Sequence, residues 1–304
     1  MIVRPRPHWF GMLLVWRGSV LPAILPQLLI TTAFATLVMV LHGQVFSFKV
    51  TLTFVPFSLI GVAIAIFLGF RNSASYDRFW EARKIWGALM IHARSLARQS
   101  LTLIDDPGAA RPIVYGTIAF VHALRHQLRG TDSLPELRSL LPAAFIETRL
   151  AGARFRPVLI LLHLGQSIAE LRRDGRLDSM RAAALDASLT GLTEVVSACE
   201  RIAGTPIPFT YSVIIHRTIY FYCFLLPFGL VDSIGVLTPL VVAFLAYTFY
   251  ALEALSDQLE EPFGTEANDL ALGALSITIE TSLREMLGEK DLPAAPQPKR
   301  YVLS

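Results

Sequence analysis

Residues 50–70 read VTLTFVPFSLIGVAIAIFLGF, a stretch without Asp, Glu, Lys or Arg that is followed at once by Arg71. An apolar helix of about 20 residues crosses the hydrocarbon core of a bilayer, and nothing charged inside this one would have to be desolvated. The reading predicts a membrane span over 50–71. Charged residues are also absent from Gly18 to Phe48, which predicts a first span over about 20–42. A further apolar block runs from Thr210 to Leu252, interrupted by Arg217 near its start and by Asp232 with Gly235 in its middle. It reads as a helical hairpin, with spans over 210–231 and 236–254.

The rest of the 304-residue chain agrees with a bilayer as solvent: 53% of residues are hydrophobic, 17% are charged and the mean hydropathy is +0.51, well outside the range of soluble domains. Arg4, Arg6 and Arg17 precede an apolar run containing Ala33-Phe34-Ala35, which resembles a leader cleavage pattern. That run continues to Leu41, beyond the length of a leader's core, so a retained first span is expected. The turn between spans one and two carries Lys49, and the turn between three and four carries Asp232. The other side carries Arg4, Arg6, Arg17, Arg71, Arg78, Arg83, Lys84 and Arg217, which places both termini and the central region in the cytoplasm by the positive-inside rule.

The central region, residues 72–209, reads as helices, as does the remainder from 255 to 304. Ile85, Leu89, His92 and Leu96 recur at helical spacing, and Leu185, Leu189, Leu192, Val196 and Cys199 follow a strict four-three alternation. Asp178 and Ser179 are candidate N-caps for the second of these helices, which Gly204, Pro206 and Pro208 end. Breaks fall at Asp105-Asp106-Pro107-Gly108 and at Gly130-Thr131-Asp132, and the segment 293–298 is proline-rich and expected to be extended. The chain shows no repeat and no strand pattern. The predicted class is all-α, a single composite unit over 1–304 with a membrane layer and a large helical cytoplasmic layer.

Enzymatic motifs are absent, and the seven histidines show no ligand spacing. His42 and His216 read as interfacial or capped histidines rather than metal ligands. Cys199 and Cys223 lie in apolar surroundings without zinc or redox spacing and read as packing residues. A net charge of +3, with arginines that follow the spans, excludes a nucleic-acid surface.

Three features point towards a function. Val62, Ile66 and Phe70 recur every fourth residue and form an apolar ridge on the second span, beside a strip of small residues, Gly61, Ala65 and Gly69. Small strips let helices approach closely, so copies standing around an axis could turn the ridge inward as a dewetting constriction. From the spacing alone, lipid-facing and helix-packing residues are the stronger reading. The stretch Arg71-Asn-Ser-Ala-Ser-Tyr-Asp-Arg-Phe-Trp-Glu-Ala-Arg-Lys-Ile-Trp-Gly87 is polar and aromatic where that span leaves the bilayer. It suits either headgroup contacts through Arg71, Arg78, Arg83 and Lys84 with Trp80 and Trp86 at the interface, or packing between subunits with Asp77 and Glu81 pairing arginines. After the fourth span, Glu260, Glu261, Glu266 and Asp269 surround a Pro-Phe-Gly turn and offer oxygens to a cation without EF-hand spacing. Capping is the stronger reading of the same residues, because Thr265, Asn268 and Asp269 mark a helix start.

The segments Arg71-Asn-Ser-Ala-Ser-Tyr-Asp-Arg78 and Asp257-Gln-Leu-Glu-Glu-Pro-Phe-Gly264 resemble the two signatures of the bestrophin family, and Ile207-Pro208-Phe209-Thr210-Tyr211 is also similar. The order of spans and the large insert agree over nearly the whole chain, and the likeness is to bacterial members. The resemblance implies a homopentameric ion channel of the bacterial inner membrane, in contact with lipids and passing monovalent ions. It puts the neck at Val62, Ile66 and Phe70 and a narrower cytoplasmic aperture near Met180. No cofactor is implied; the calcium clasp of animal members uses an acidic run of which Glu266 and Asp269 remain, so calcium stays open. With aliphatic side chains at two of the three neck positions, sodium or potassium selectivity is expected, with chloride selectivity or a non-conducting membrane scaffold as the alternatives.

Overall fold

The computed structural model describes residues 1–5, 8–45, 48–49 and 54–303. Arg6 and positions 50–53 of the second expected span lie outside the described residues. The helices, in chain order, are α1 (Trp9–Leu13), α2 (Leu21–Val40), α3 (Phe54–Leu103), α4 (Pro107–Arg129), α5 (Leu134–Leu137), α6 (Ala143–Phe145), α7 (Arg156–Arg173), α8 (Ser179–Gly204), α9 (Phe209–Ile234), α10 (Thr238–Glu260) and α11 (Leu272–Met286). A two-residue antiparallel ladder, Gln44–Val45 with Phe48–Lys49, joins α2 to α3. The all-α expectation holds, with that ladder as the addition that turn chemistry brings.

The helix that carries the second expected span continues past residue 71 to Leu103, as one helix of 50 residues. No Pro or Gly pair interrupts the sequence there, and polar residues are good helix formers once water can solvate them. Among the described residues, Leu21–Val40, the apolar start of Val55–Leu103 and the stretch Phe209–Glu260 are long and apolar enough to cross a membrane. The last is divided by a 3₁₀ turn at Gly235–Leu237, where Gly235 takes φ +54° and so ends α9 in a conformation that a side chain would strain.

The chain separates into two compact units. The apolar unit comprises Pro5–Phe79 and Pro206–Glu261. Its core joins Ile24 and Ala35 of α2, Phe57, Ile64 and Leu68 of α3, Ile219 and Leu226 of α9 and Val242 and Tyr250 of α10. Inside a bilayer such packing is driven by shape and by satisfied polar groups rather than by expulsion of water. The Thr31 hydroxyl accordingly meets the Tyr250 hydroxyl at 3.0 Å, so neither is orphaned in the interior.

The second unit comprises Met1–Arg4, Trp80–Thr205 and Pro262–Ser304. Its centre is α4, buried from Ile113 to Leu124 at nearly every position because α7, α8 and α11 surround it. The predicted breaks stand where the sequence places them. Asp106 caps α4 by accepting from the Gly108 amide at 2.7 Å, and Gly130 ends it at φ +63°. Asp178 caps α8, accepting from the Met180 and Arg181 amides at 2.8 and 3.0 Å. Leu185, Leu189, Leu192, Val196 and Cys199 are all buried, as their alternation requires. Residues 293–298 carry neither helix nor strand.

Candidate pore ridge and signature site

The apolar part of α3 has two faces. Phe57, Ile64, Leu68, Arg71 and Ser75 are buried, and with Gly61 they follow a three-four alternation that turns one side of the helix into the apolar unit. At Gly61 a Cβ would meet the Tyr222 hydroxyl of α9 at 2.8 Å, so the absent side chain sets how closely those helices pack. Ala65 and Gly69 of the same small strip remain exposed. On the other side Val62, Ile66 and Phe70 are 59%, 52% and 65% exposed on the single chain. A ridge this exposed on the single chain is a surface for lipid, for another copy or for a lumen.

Where α3 turns polar, the two signature segments meet inside the apolar unit. The Arg71 side chain is 3% exposed and pairs with Asp257 and, at 3.5 Å, with Glu260. One turn on, Ser75 and Ser256 share a hydrogen bond of 2.9 Å, and Arg78 Nε donates to the Glu260 carbonyl at 3.1 Å. The Ile207 amide donates to Glu260 Oε1 at 3.1 Å, which brings in the segment before α9 as well. Arg71 is therefore neither a headgroup contact nor a subunit-interface residue: its charge is neutralised within its own chain. The spacing Arg71, Ser75, Arg78 against Ser256, Asp257, Glu260 is the signal, since each set lies along one helical side.

Other expectations around this stretch divide. Trp80 is exposed, with the Arg83 guanidinium 5.1 Å from its ring, but Trp86 is 1% exposed in the core of the second unit and is not an interfacial anchor. Glu81 pairs with Arg201 of its own chain. Asp77 is exposed.

The acidic segment does not start a helix. Helix α11 begins at Leu272 with Ala271 at its cap and no capping side chain. Asp269, 2% exposed, instead accepts from the Glu266 amide at 2.7 Å, closing a four-residue turn, and the Leu270 amide returns to the Pro262 carbonyl at 3.0 Å. Burial holds the Asp269 carboxyl above the ordinary aspartate range, against that hydrogen bond and the nearby Arg129. Glu260 is engaged with Arg71 and Ile207, and among the described residues no three His, Cys, Asp or Glu side chains come together to hold a metal. Met180 stands in the first turn of α8 and is 82% exposed.

Two groups escaped the sequence reading. His216 Nδ1 lies 2.8 Å from Glu253, a buried acid of α10 that the apolar window conceals. In the second unit His122 of α4 stands between Glu136 at 3.0 Å and Glu280 at 2.8 Å, a pairing across three helices that local periodicity cannot reveal. Both cysteines are buried and free, and burial pushes the Cys199 thiol up to about 12, as an inert packing residue requires.

Residues 1–285 match a family model described as Bacterial/Fungal Bestrophin protein. A voltage-dependent anion channel-forming protein of Ralstonia nicotianae is 50% identical over the whole of both chains, and one of Escherichia coli K12 is 42% identical over 99% of each. The crystal structure of a bacterial bestrophin homologue from Klebsiella pneumoniae superposes with a TM-score of 0.84 at 43% identity, covering 88% of this chain and 99% of that one.

Proposed function

Because the chain belongs to the bacterial and fungal bestrophin family, whose members are ion channels and not enzymes, we propose that identical subunits, five by family resemblance, surround one pore that passes monovalent ions across the bacterial inner membrane. The first part of α3 crosses the bilayer beside α2, α9 and α10, with both termini cytoplasmic. Val62, Ile66 and Phe70 form stacked apolar collars, and Met180 rings the cytoplasmic exit. The supporting observation is the two-sidedness of α3: one side is fixed by intramolecular packing while three bulky apolar side chains at four-residue spacing stay uncovered. Collars of this kind hold back ions by excluding water rather than by binding them.

Monovalent cations are the expected permeant ions, since the aliphatic collars at Val62 and Ile66 lack the positive aromatic edge that would meet an anion. The names of the relatives, anion channel-forming proteins, favour the opposite sign. The deciding experiment is reconstitution of the purified protein into planar bilayers under a potassium chloride gradient. Cation permeation sets the reversal potential near the potassium equilibrium value, anion permeation near the chloride value. Ile66→Ala and Phe70→Ala should raise flux several-fold; a monomer in detergent, or unchanged flux in folded variants, rejects the pore.

A further inference from the structure

The exposed line of α3 does not end at Phe70. Seven residues further, Asp77 returns to within about 20° of the same direction, roughly 10 Å along the helix axis. Between them Ser73 and Ala74 are exposed and uncharged, so Asp77 is the first ionisable residue on this line beyond the apolar ridge. The neighbouring charges are directed elsewhere. Arg71 is buried on the opposite side with Asp257 and Glu260, and Arg78 gives its Nε to the Glu260 carbonyl. Asn72 turns its amide back to the Leu68 carbonyl at 3.0 Å. The next ionisable residues near the same line are Glu81, half-buried, roughly 16 Å from Phe70 along the axis and paired with Arg201, and Lys84, exposed and a further two turns beyond Asp77.

We propose that Asp77 sets the sign of the permeant ion, by placing a ring of carboxylates at the cytoplasmic foot of the apolar collars, where it concentrates monovalent cations and repels anions. The inference rests on the pore reading above and deepens it. Distance decides which charge matters: Asp77 lies about one Debye length from Phe70 at physiological salt, whereas Lys84 lies more than two away and is screened. An ion emerging from a collar that offers it no ligand responds first to the nearest unscreened charge, and symmetry multiplies that charge by the number of subunits.

The test is the reversal potential of wild type, Asp77→Asn, Asp77→Glu and Asp77→Lys in planar bilayers under a potassium chloride gradient. Asp77→Asn should lower the cation-to-anion permeability ratio on the order of tenfold, as attraction of one ion and repulsion of the other vanish together. Asp77→Glu should keep the wild-type potential and Asp77→Lys should reverse its sign. Raising salt to about 1 M on both sides at a fixed ratio should weaken wild-type selectivity and leave Asp77→Asn unchanged, because the Debye length falls to about 3 Å. A conducting Asp77→Asn with wild-type selectivity overturns the assignment and leaves the pore standing. An anion-selective wild type also overturns it, and a wild type without current overturns both.

Discussion

Arg71 and Asp257 are 186 residues apart in sequence and bonded in the folded chain, with the arginine buried at the end of a charge-free stretch and the aspartate four residues beyond Glu253, which ends another. A buried cation is tolerable only when acids surround it, and here Asp257 and Glu260 do so from α10. The two signature segments are thus one structural clamp, which ties α3 to α10 where both turn polar.

That clamp can be measured. Arg71→Met strands the part-buried Glu260 carboxylate and should cost about 3 kcal/mol, whereas Asp257→Asn, on a side chain that is 59% exposed, should cost about 1 kcal/mol or less. Thermal unfolding in detergent orders the two. Equal stability of Arg71→Met and wild type would show that the clamp holds nothing together.

Gly191 of α8 lies where a Cβ would fall on the His92 ring of α3. The atoms met belong to the body of the imidazole rather than to a flexible tip, so the helices must separate. Gly191→Ala should destabilise the chain by about 1–3 kcal/mol, despite its gain in helix propensity. A melting temperature at or above that of wild type is the contrary outcome.

Phe70, Ile66 and Met180 are exposed, so their removal should leave folding intact while altering conduction. Single alanine substitutions are expected within about 0.5 kcal/mol of wild-type stability, with flux raised for the two ridge positions. Loss of stability beyond that, with unaltered flux, would assign them to packing.

His122 gives the second unit a pH profile. Burial alone pushes its imidazolium down, but the carboxylates of Glu136 and Glu280 outweigh burial and hold its pKa above the ordinary value of 6.5. The His122 contact, aided by Arg125, lowers Glu136, and for Glu280 the pull of His122 and Arg284 exceeds the upward push of burial. A raised histidine stabilises fully below its unfolded value and loses that contribution as pH rises through its folded one. The depressed carboxylates stabilise above their unfolded value of 4.5 and lose the effect as pH falls through their folded ones. Stability should therefore peak between about pH 4.5 and 6.5 and decline above it. His122→Gln should remove the alkaline decline; an identical slope in both proteins would place the effect elsewhere.

The sequence by itself determined the solvent, the helical class, the helix breaks and the ridge. Each is encoded locally: charge-free length answers to the thickness of a bilayer, four-residue recurrence to the pitch of a helix, and Asp106, Gly130 and Asp178 to unpaired groups at helix ends. It misplaced what depends on partners distant in the chain. Arg71 looked like a headgroup ligand because its acids are 186 residues away, Trp86 looked interfacial although it is core, and Asp269 looked like a helix cap although it closes a turn. Only the tertiary structure decided these, along with Glu253 beside His216 and His122 between two acids, because a side chain's burial and charge partners are set by which helices pack against it.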